Sequence, residues 1–364
     1  MGAPVEELMR SRSTARWWMY PVLLLRVHRD EADMESSGQG GGVQQLGLAA
    51  FGLGLLADVP LPGAWETRRL REPSLQIRSV SAQAIENSWS GVEAIGWEAV
   101  IDGAPFIVER GIEGDHRFVH GATPDHSGTR SDGIRAVHHL SADASLLQCA
   151  PSDPGEPSWW RVVLDSVLFT VALLQGYEAL HAGAVATPDG VIAITAAAGG
   201  GKSTLLAELL QRGLELMADD VLVLGSRGME APLAHPAPPL MTVPAESIPT
   251  LPQAPPPETI SPVEEERWIA VPVYPEPLPL KALVVLDRRP GLQTSLEKIE
   301  DPLGALLGSL MNFPRSPERQ RTRFELASVM ASTTALLRLT ADLDVHPEVL
   351  ADTLLEGNRD TGNV

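Results

Sequence analysis

IAITAAAGGGKSTLLAELLQRGLELMADDVL, residues Ile192 to Leu222, carries an apolar run into a glycine-rich turn and out into a helical pattern. Gly199, Gly200 and Gly201 make the turn, and Lys202, Ser203 and Thr204 follow it. This is the layout of a phosphate-binding loop. Successive backbone N–H groups wrap the phosphates, the new helix points its positive end at them, the lysine adds a point charge and the hydroxyl can hold Mg²⁺. Lysine usage sharpens the reading: of 28 basic residues only Lys202, Lys281 and Lys298 are lysines. A compact ammonium suits a phosphate cradle that a guanidinium fork would crowd. The stretch is read as the binding loop for a nucleoside triphosphate.

Against the pattern G-x-x-x-x-G-K-[ST], the first glycine position holds Ala196, and Ala196, Ala197 and Ala198 precede the glycines. Alanine fits there if the backbone keeps a negative φ, because only left-handed turn positions require glycine. A loop that binds nucleotide without turning it over stays open as a reading of these alanines.

The whole chain sets bounds. Its 364 residues give room for two modest domains or one large one. Hydrophobic content of 44% with 21% charged residues describes a globular chain. A formal net charge of −19 argues against a nucleic-acid partner, since a phosphate backbone asks for a basic surface. The single cysteine, Cys149, excludes an internal disulfide and a multi-cysteine metal site, which suits a reducing, cytoplasmic setting. Near the N-terminus, Arg10, Arg12 and Arg16 precede an apolar run, Trp17 to Leu25, that Pro21 interrupts. Nine residues are too few to span a bilayer, so no membrane partner is expected. Residues 1–45, ending in the glycine-rich SSGQGGG segment, read as a flexible extension.

Residues 46–150 show short apolar runs divided by Gly, Pro, Asp and Ser: Leu48–Leu56, Leu75–Val80, Val92–Ile101, Pro105–Arg110 and Arg117–His120. They predict antiparallel strands and hairpins. His138 and His139 fall in such a run and read as surface or core rather than metal ligands. A core of 151–360 follows. Trp159–Tyr177 predicts a buried helix; Leu180–Val185 and Val191–Ala196 predict two strands joined by the tight turn Thr187-Pro188-Asp189-Gly190. Strands are also expected at Leu214–Met217, Lys281–Leu286 and Ala335–Leu339, with a last helix at His346–Glu356. Residues 231–279, dense in proline, predict a long irregular excursion, a lid or an acceptor-docking loop.

With these pieces placed, residues 178–224 resemble the HPr kinase/phosphorylase-like family. The resemblance rests on Leu180-His181-Ala182, Gly201-Lys202-Ser203-Thr204 and Ala218-Asp219-Asp220, in that order. More loosely the chain resembles the shorter HPr kinase-like proteins of peptide-modification systems, including lasso-peptide precursor kinases, through Val59-Pro60-Leu61-Pro62-Gly63 and His235 to Leu240. The resemblance implies an α/β fold: a phosphoenolpyruvate-carboxykinase-like P-loop core with a mixed sheet, preceded by a β-rich N-terminal region. It implies ATP and Mg²⁺ as cofactors and transfer of the γ-phosphoryl group to a Ser or Thr hydroxyl of a protein or peptide acceptor. By position, Gly199 to Thr204 would cradle the nucleotide, with Lys202 on the β- and γ-phosphates and Ser203 on Mg²⁺. Asp219 would be the base, Asp220 a further metal contact, and His181 would stand beside them. Ala196 and Ala198 stand where the family has glycine and serine, and the later phosphorylase signature is missing, so HPr itself is not the expected acceptor.

Two alternatives stay open at this stage: a non-catalytic nucleotide-binding accessory of a peptide-maturation system, and a small-molecule kinase of the shikimate type. The acceptor's identity, homo-oligomer formation and the arginine that meets the transferred phosphoryl also stay open. Candidates for that arginine are Arg288, Arg289 and the run from Arg315 to Arg323.

Overall fold

Proline fixes φ at the first corner of the turn and glycine accepts the positive φ of the last, so Thr187 and Gly190 face each other across a two-residue loop. The Thr187 hydroxyl donates to the Gly190 carbonyl at 2.8 Å and accepts from the Asp189 N–H at 3.3 Å. The resulting hairpin, Gly183–Thr187 and Gly190–Ala196, is the axis of the second half of the chain. This geometry comes from a computed structural model that describes residues 45–70, 73–101, 104–121, 134–153, 158–244, 259–262, 266–311 and 317–360. The expected N-terminal extension lies outside the described residues.

Around the hairpin runs a mixed sheet. On one side Gly190–Ala196 pairs in parallel with Leu278–Arg288, which pairs in parallel with Ala335–Ala341. Ser295–Lys298 closes that edge antiparallel. On the other side Gly183–Thr187 pairs antiparallel with Glu215–Ala218. The strand into the glycine loop and the strand into the aspartates therefore run the same way, one strand apart, and both end at one edge. Beyond that edge the ribbon continues, since Glu178–His181 pairs with Val221–Gly225. The aspartates thus sit at a break within a long antiparallel ribbon, opposite Ala182 and Gly183, rather than at a free strand tip.

The preceding region forms a nine-stranded sheet from Gln45–Ala50 to Leu146–Pro151, with a short helix at Ala82–Ser88. The run Leu48–Leu56 is an antiparallel hairpin of two strands, because Phe51 and Gly52 take φ of 55° and 80° and reverse the chain. A methyl on Gly52 would fall 2.7 Å from the Tyr177 ring, so glycine there lets the two halves of the chain approach. His138 and His139 are both buried.

Between the two large sheets lies the apolar helix, Ser158–Val162 and Leu168–Leu174, interrupted by a π-helical turn at Val163–Val167. Its side chains join Leu53, Phe106 and Leu147 of the first sheet to Leu180, Val223 and Leu283 of the second in one core. On the far face of the mixed sheet, helices Lys202–Gln211 and Pro347–Asp360 build a second core. None of the helices among the described residues is long and apolar enough to cross a membrane.

The proline-rich excursion departs from expectation. Among its described parts, Leu233–His235 joins the mixed sheet between Val221–Gly225 and Leu278–Arg288, and Leu240–Pro244, Glu266–Ala270 and Thr259–Pro262 form a three-stranded antiparallel sheet. Met241, Val243, Trp268 and Ile269 are buried in the cores. Proline density suggested irregularity, but Pro244 and Pro262 stand at strand ends, where a missing donor costs no ladder bond.

Candidate functional site

The glycine loop is built as a left-handed corner at a helix start. Gly199 and Gly201 have φ of 72° and 91°, and the Gly200 N–H donates to the Ala197 carbonyl at 2.8 Å. The three alanines before them keep φ out of the positive range, so the replacement of glycine at Ala196 carries no backbone strain. Gly201 is the N-cap of Lys202–Gln211 and has no side chain to satisfy the first-turn N–H groups. Those donors and the helix dipole face the loop, an arrangement that favours an anion.

Lys202 is the link to the aspartates. Its ammonium donates to the Asp219 backbone carbonyl at 2.7 Å and is ion-paired with the Asp220 carboxylate. The close approach of ribbon and helix needs Gly183, since a methyl there would sit 2.2 Å from Leu206 Cδ1 and 2.6 Å from the Asp219 carbonyl oxygen. Burial alone would lower the Lys202 pKa, but the charges of Asp219 and Asp220 and the bond to Asp220 raise it overall. The lysine is therefore a fixed cation.

The two carboxylates have different surroundings. Asp219 Oδ2 accepts from the Thr242 N–H at 2.7 Å, while Oδ1 is enclosed and without a hydrogen-bond partner. Burial, reinforced by the neighbouring Asp220 charge, outweighs the Lys202 attraction and the Thr242 bond and pushes its pKa up to about 6. Asp220 has a side chain 65% exposed. Desolvation works against its ionisation, but Lys202, then His181 and Arg161, hold its pKa below the ordinary value. One group poised near neutrality beside one held ionised is the pattern of a base next to a cation-binding carboxylate.

The structure thus brings Lys202, Asp219 and Asp220 into contact and sets exposed His181 on the strand paired with Val221, next to Asp220. Ser203 and Thr204 lie in the first turn of the loop helix. Two contributors were not anticipated from sequence. Thr242, from the supposed irregular excursion, supplies the amide that holds Asp219. Arg161 acts electrostatically on both aspartates, pairs with Asp165 at 3.3 Å and lies 5.8 Å from the Trp268 ring centre. An arginine inside an otherwise apolar helix was the available signal, because such a charge is buried only with partners.

The candidate arginines also separate. Arg288 packs against the loop, its Nη1 being 2.9 Å from where a methyl on Gly201 would stand. Arg289 pairs with Asp287 on the surface, Arg319 with buried Glu178, and Arg323 with the Leu307 and Leu310 carbonyls. Arg321 pairs with Glu325 on an exposed helix face, and Arg315 lies outside the described residues.

For a divalent cation, no group of three or more His, Cys, Asp or Glu side chains among the described residues is arranged to hold one. A cage built wholly from protein is therefore not what the site offers. Asp220 and the Ser203 hydroxyl are hard oxygen donors, which fits Mg²⁺ held by one carboxylate together with nucleotide phosphates.

No family model and no curated protein matches the chain. Among solved structures it is similar to the HPr(Ser) kinase/phosphatase of Coxiella burnetii. The TM-score is 0.28 and the identity 14%, over 50% of this chain and 98% of that one. So loose a likeness carries no argument about activity or ligands.

Proposed function

We propose that the chain is an ATP-dependent kinase of the HPr kinase-like type that moves the γ-phosphoryl group to a Ser or Thr hydroxyl of a protein or peptide acceptor. The observation that carries this reading is the direct contact between the phosphate-loop lysine and the aspartate pair. A nucleotide cradle and a potential base then belong to one site.

In this reading the loop amides and Lys202 hold the triphosphate, and Ser203 and Asp220 hold Mg²⁺. Bound Mg-ATP supplies the phosphoryl group and neutralises its charge during transfer. The chain's own work is positioning and proton handling. Asp219, fixed by the Thr242 N–H, presents its unpartnered Oδ1 to the acceptor hydroxyl and takes its proton. A carboxyl with a pKa of about 6 is ionised at neutral pH yet remains a stronger base than an ordinary aspartate. Lys202, ion-paired with Asp220 here, would turn to the phosphates of a bound nucleotide and leave Asp220 to the cation. His181 stands beside Asp220, and the Arg161 charge holds both carboxylates down.

A shikimate-type small-molecule kinase would bring a wholly parallel sheet. Here the loop-feeding strand is an arm of an antiparallel hairpin, which argues against that alternative. The accessory reading draws on Ala196 and Ala198, but their backbone is unstrained. The test is incubation of the chain with γ-labelled Mg-ATP and serine- or threonine-bearing peptides, beside Asp219→Asn. Label on a hydroxyl, reduced about 10²–10⁴-fold in the variant, is the expected result. Equal label transfer by both proteins would contradict the assignment of Asp219.

A further inference from the structure

Arg288 ends the long strand Leu278–Arg288, the parallel neighbour of the strand that feeds the glycine loop. Its guanidinium is held from behind. Nη2 donates to the Val345 carbonyl at 3.0 Å and to the Leu343 carbonyl, both in the turn after the last strand. In front, Nη1 lies 2.9 Å, and Cδ 3.7 Å, from the position of a Cβ on Gly201. The Nε–H is enclosed and has no partner. A buried guanidinium N–H without an acceptor carries its desolvation cost unrelieved. An arginine clamped by two carbonyls and turned toward a phosphate loop is shaped to meet an anion.

Strand order says which part of the anion it meets. The aspartate strand lies on one side of the loop-feeding strand, two strands away through Gly183–Thr187, and Arg288 arrives on the other side. The loop is thus flanked by carboxylates where transfer would occur and by a guanidinium on the opposite flank. A group on that flank stands beside the loop and away from the aspartates.

Resting on the kinase reading above, we propose that Arg288 is a nucleotide-binding residue for the non-transferred α- and β-phosphates, and that it holds a nucleoside diphosphate as firmly as a triphosphate. Gly201 is then required twice, for its left-handed backbone and for the room the guanidinium takes. The role is anchoring rather than chemistry, so Arg288 acts on nucleotide affinity and leaves the transfer step alone.

Calorimetric titration of the full chain with Mg-ATP and Mg-ADP tests this, using wild type, Arg288→Met, Arg288→Lys and Lys202→Ala. Arg288→Met should weaken ATP and ADP by the same factor, about tenfold to a hundredfold, with a shallower salt dependence for both. Unchanged affinities in a folded Arg288→Met protein, or loss confined to ATP, would overturn the assignment. If loss of the Val345 tie unfolds that variant, Arg288→Lys decides. A lysine keeps the charge but cannot bind two carbonyls and face the loop together, so ADP should weaken several-fold, and wild-type ADP affinity would refute the proposal. Weakening by Lys202→Ala with none in either Arg288 variant would refute this inference alone. A wild-type chain that binds neither nucleotide would refute the kinase reading beneath it.

Discussion

Asp219→Asn should make the protein more stable near neutral pH while removing the proposed base. The Asp219 carboxyl is raised from an ordinary 3.8 to about 6, chiefly by burial. Because the folded-state value lies above the unfolded one, its stabilising contribution is complete below about pH 4 and is lost as pH rises through about 6. The gap corresponds to about 3 kcal/mol, at about 1.4 kcal/mol for each tenfold change in proton affinity. Asparagine keeps an acceptor for the Thr242 N–H but sets an amide where Oδ1 lacks a partner, which offsets about 1 kcal/mol. The net gain at about pH 8 is then about 2 kcal/mol, or about 4 °C in Tm at roughly 2 °C per kcal/mol for a chain of this size. Thermal melts of both proteins between about pH 4 and pH 8 provide the assay. The variant's advantage should shrink steadily on acidification. A variant that melts below wild type at pH 8, or a difference independent of pH, would refute the claim that Asp219 is held ionised against its surroundings.

Two further outcomes follow from the same geometry. Gly183→Ala sets a methyl 2.6 Å from the Asp219 carbonyl, so it should cost about 1–3 kcal/mol and weaken ATP binding; a melt and affinity equal to wild type would contradict the close-approach argument. Arg161→Gln removes a charge that holds both aspartates down, so the acid limb of the transfer pH profile should move to higher pH. An unshifted profile would remove Arg161 from the site.

Much of this arrangement was legible because its parts are local. The tight turn at Thr187–Gly190, the glycine corner and the loop helix are each specified within a few residues, and the 31 residues from Ile192 to Leu222 carry the lysine and both aspartates together. Less visible was what arrives through tertiary register. Thr242 reaches Asp219 only because Leu240–Pro244 pairs with Glu266–Ala270, and apolar alternation there was masked by flanking prolines. Arg161 belongs to a helix read simply as buried, and no local pattern announces the π-helical turn that follows it. Arg288 and Arg289 could not be ranked from sequence, yet the strand ends at Arg288, which meets the glycine loop, while Arg289 just beyond it pairs with Asp287. Within Leu48–Leu56 the point of reversal was not legible, because the turn uses Phe51 at positive φ, a conformation that side chains with a Cβ seldom adopt.

The central claim is that residues 196–204 form a phosphate cradle whose cation is Lys202. Calorimetric titration of Mg-ATP into wild type and Lys202→Ala tests it most directly. Lys202 serves the loop and the aspartates rather than the apolar core, so the variant should fold. Loss of one charge-assisted phosphate contact should weaken binding by about 1.5–3 kcal/mol, roughly tenfold to a hundred-and-fiftyfold. Equal Mg-ATP affinity in a folded Lys202→Ala protein would contradict the account.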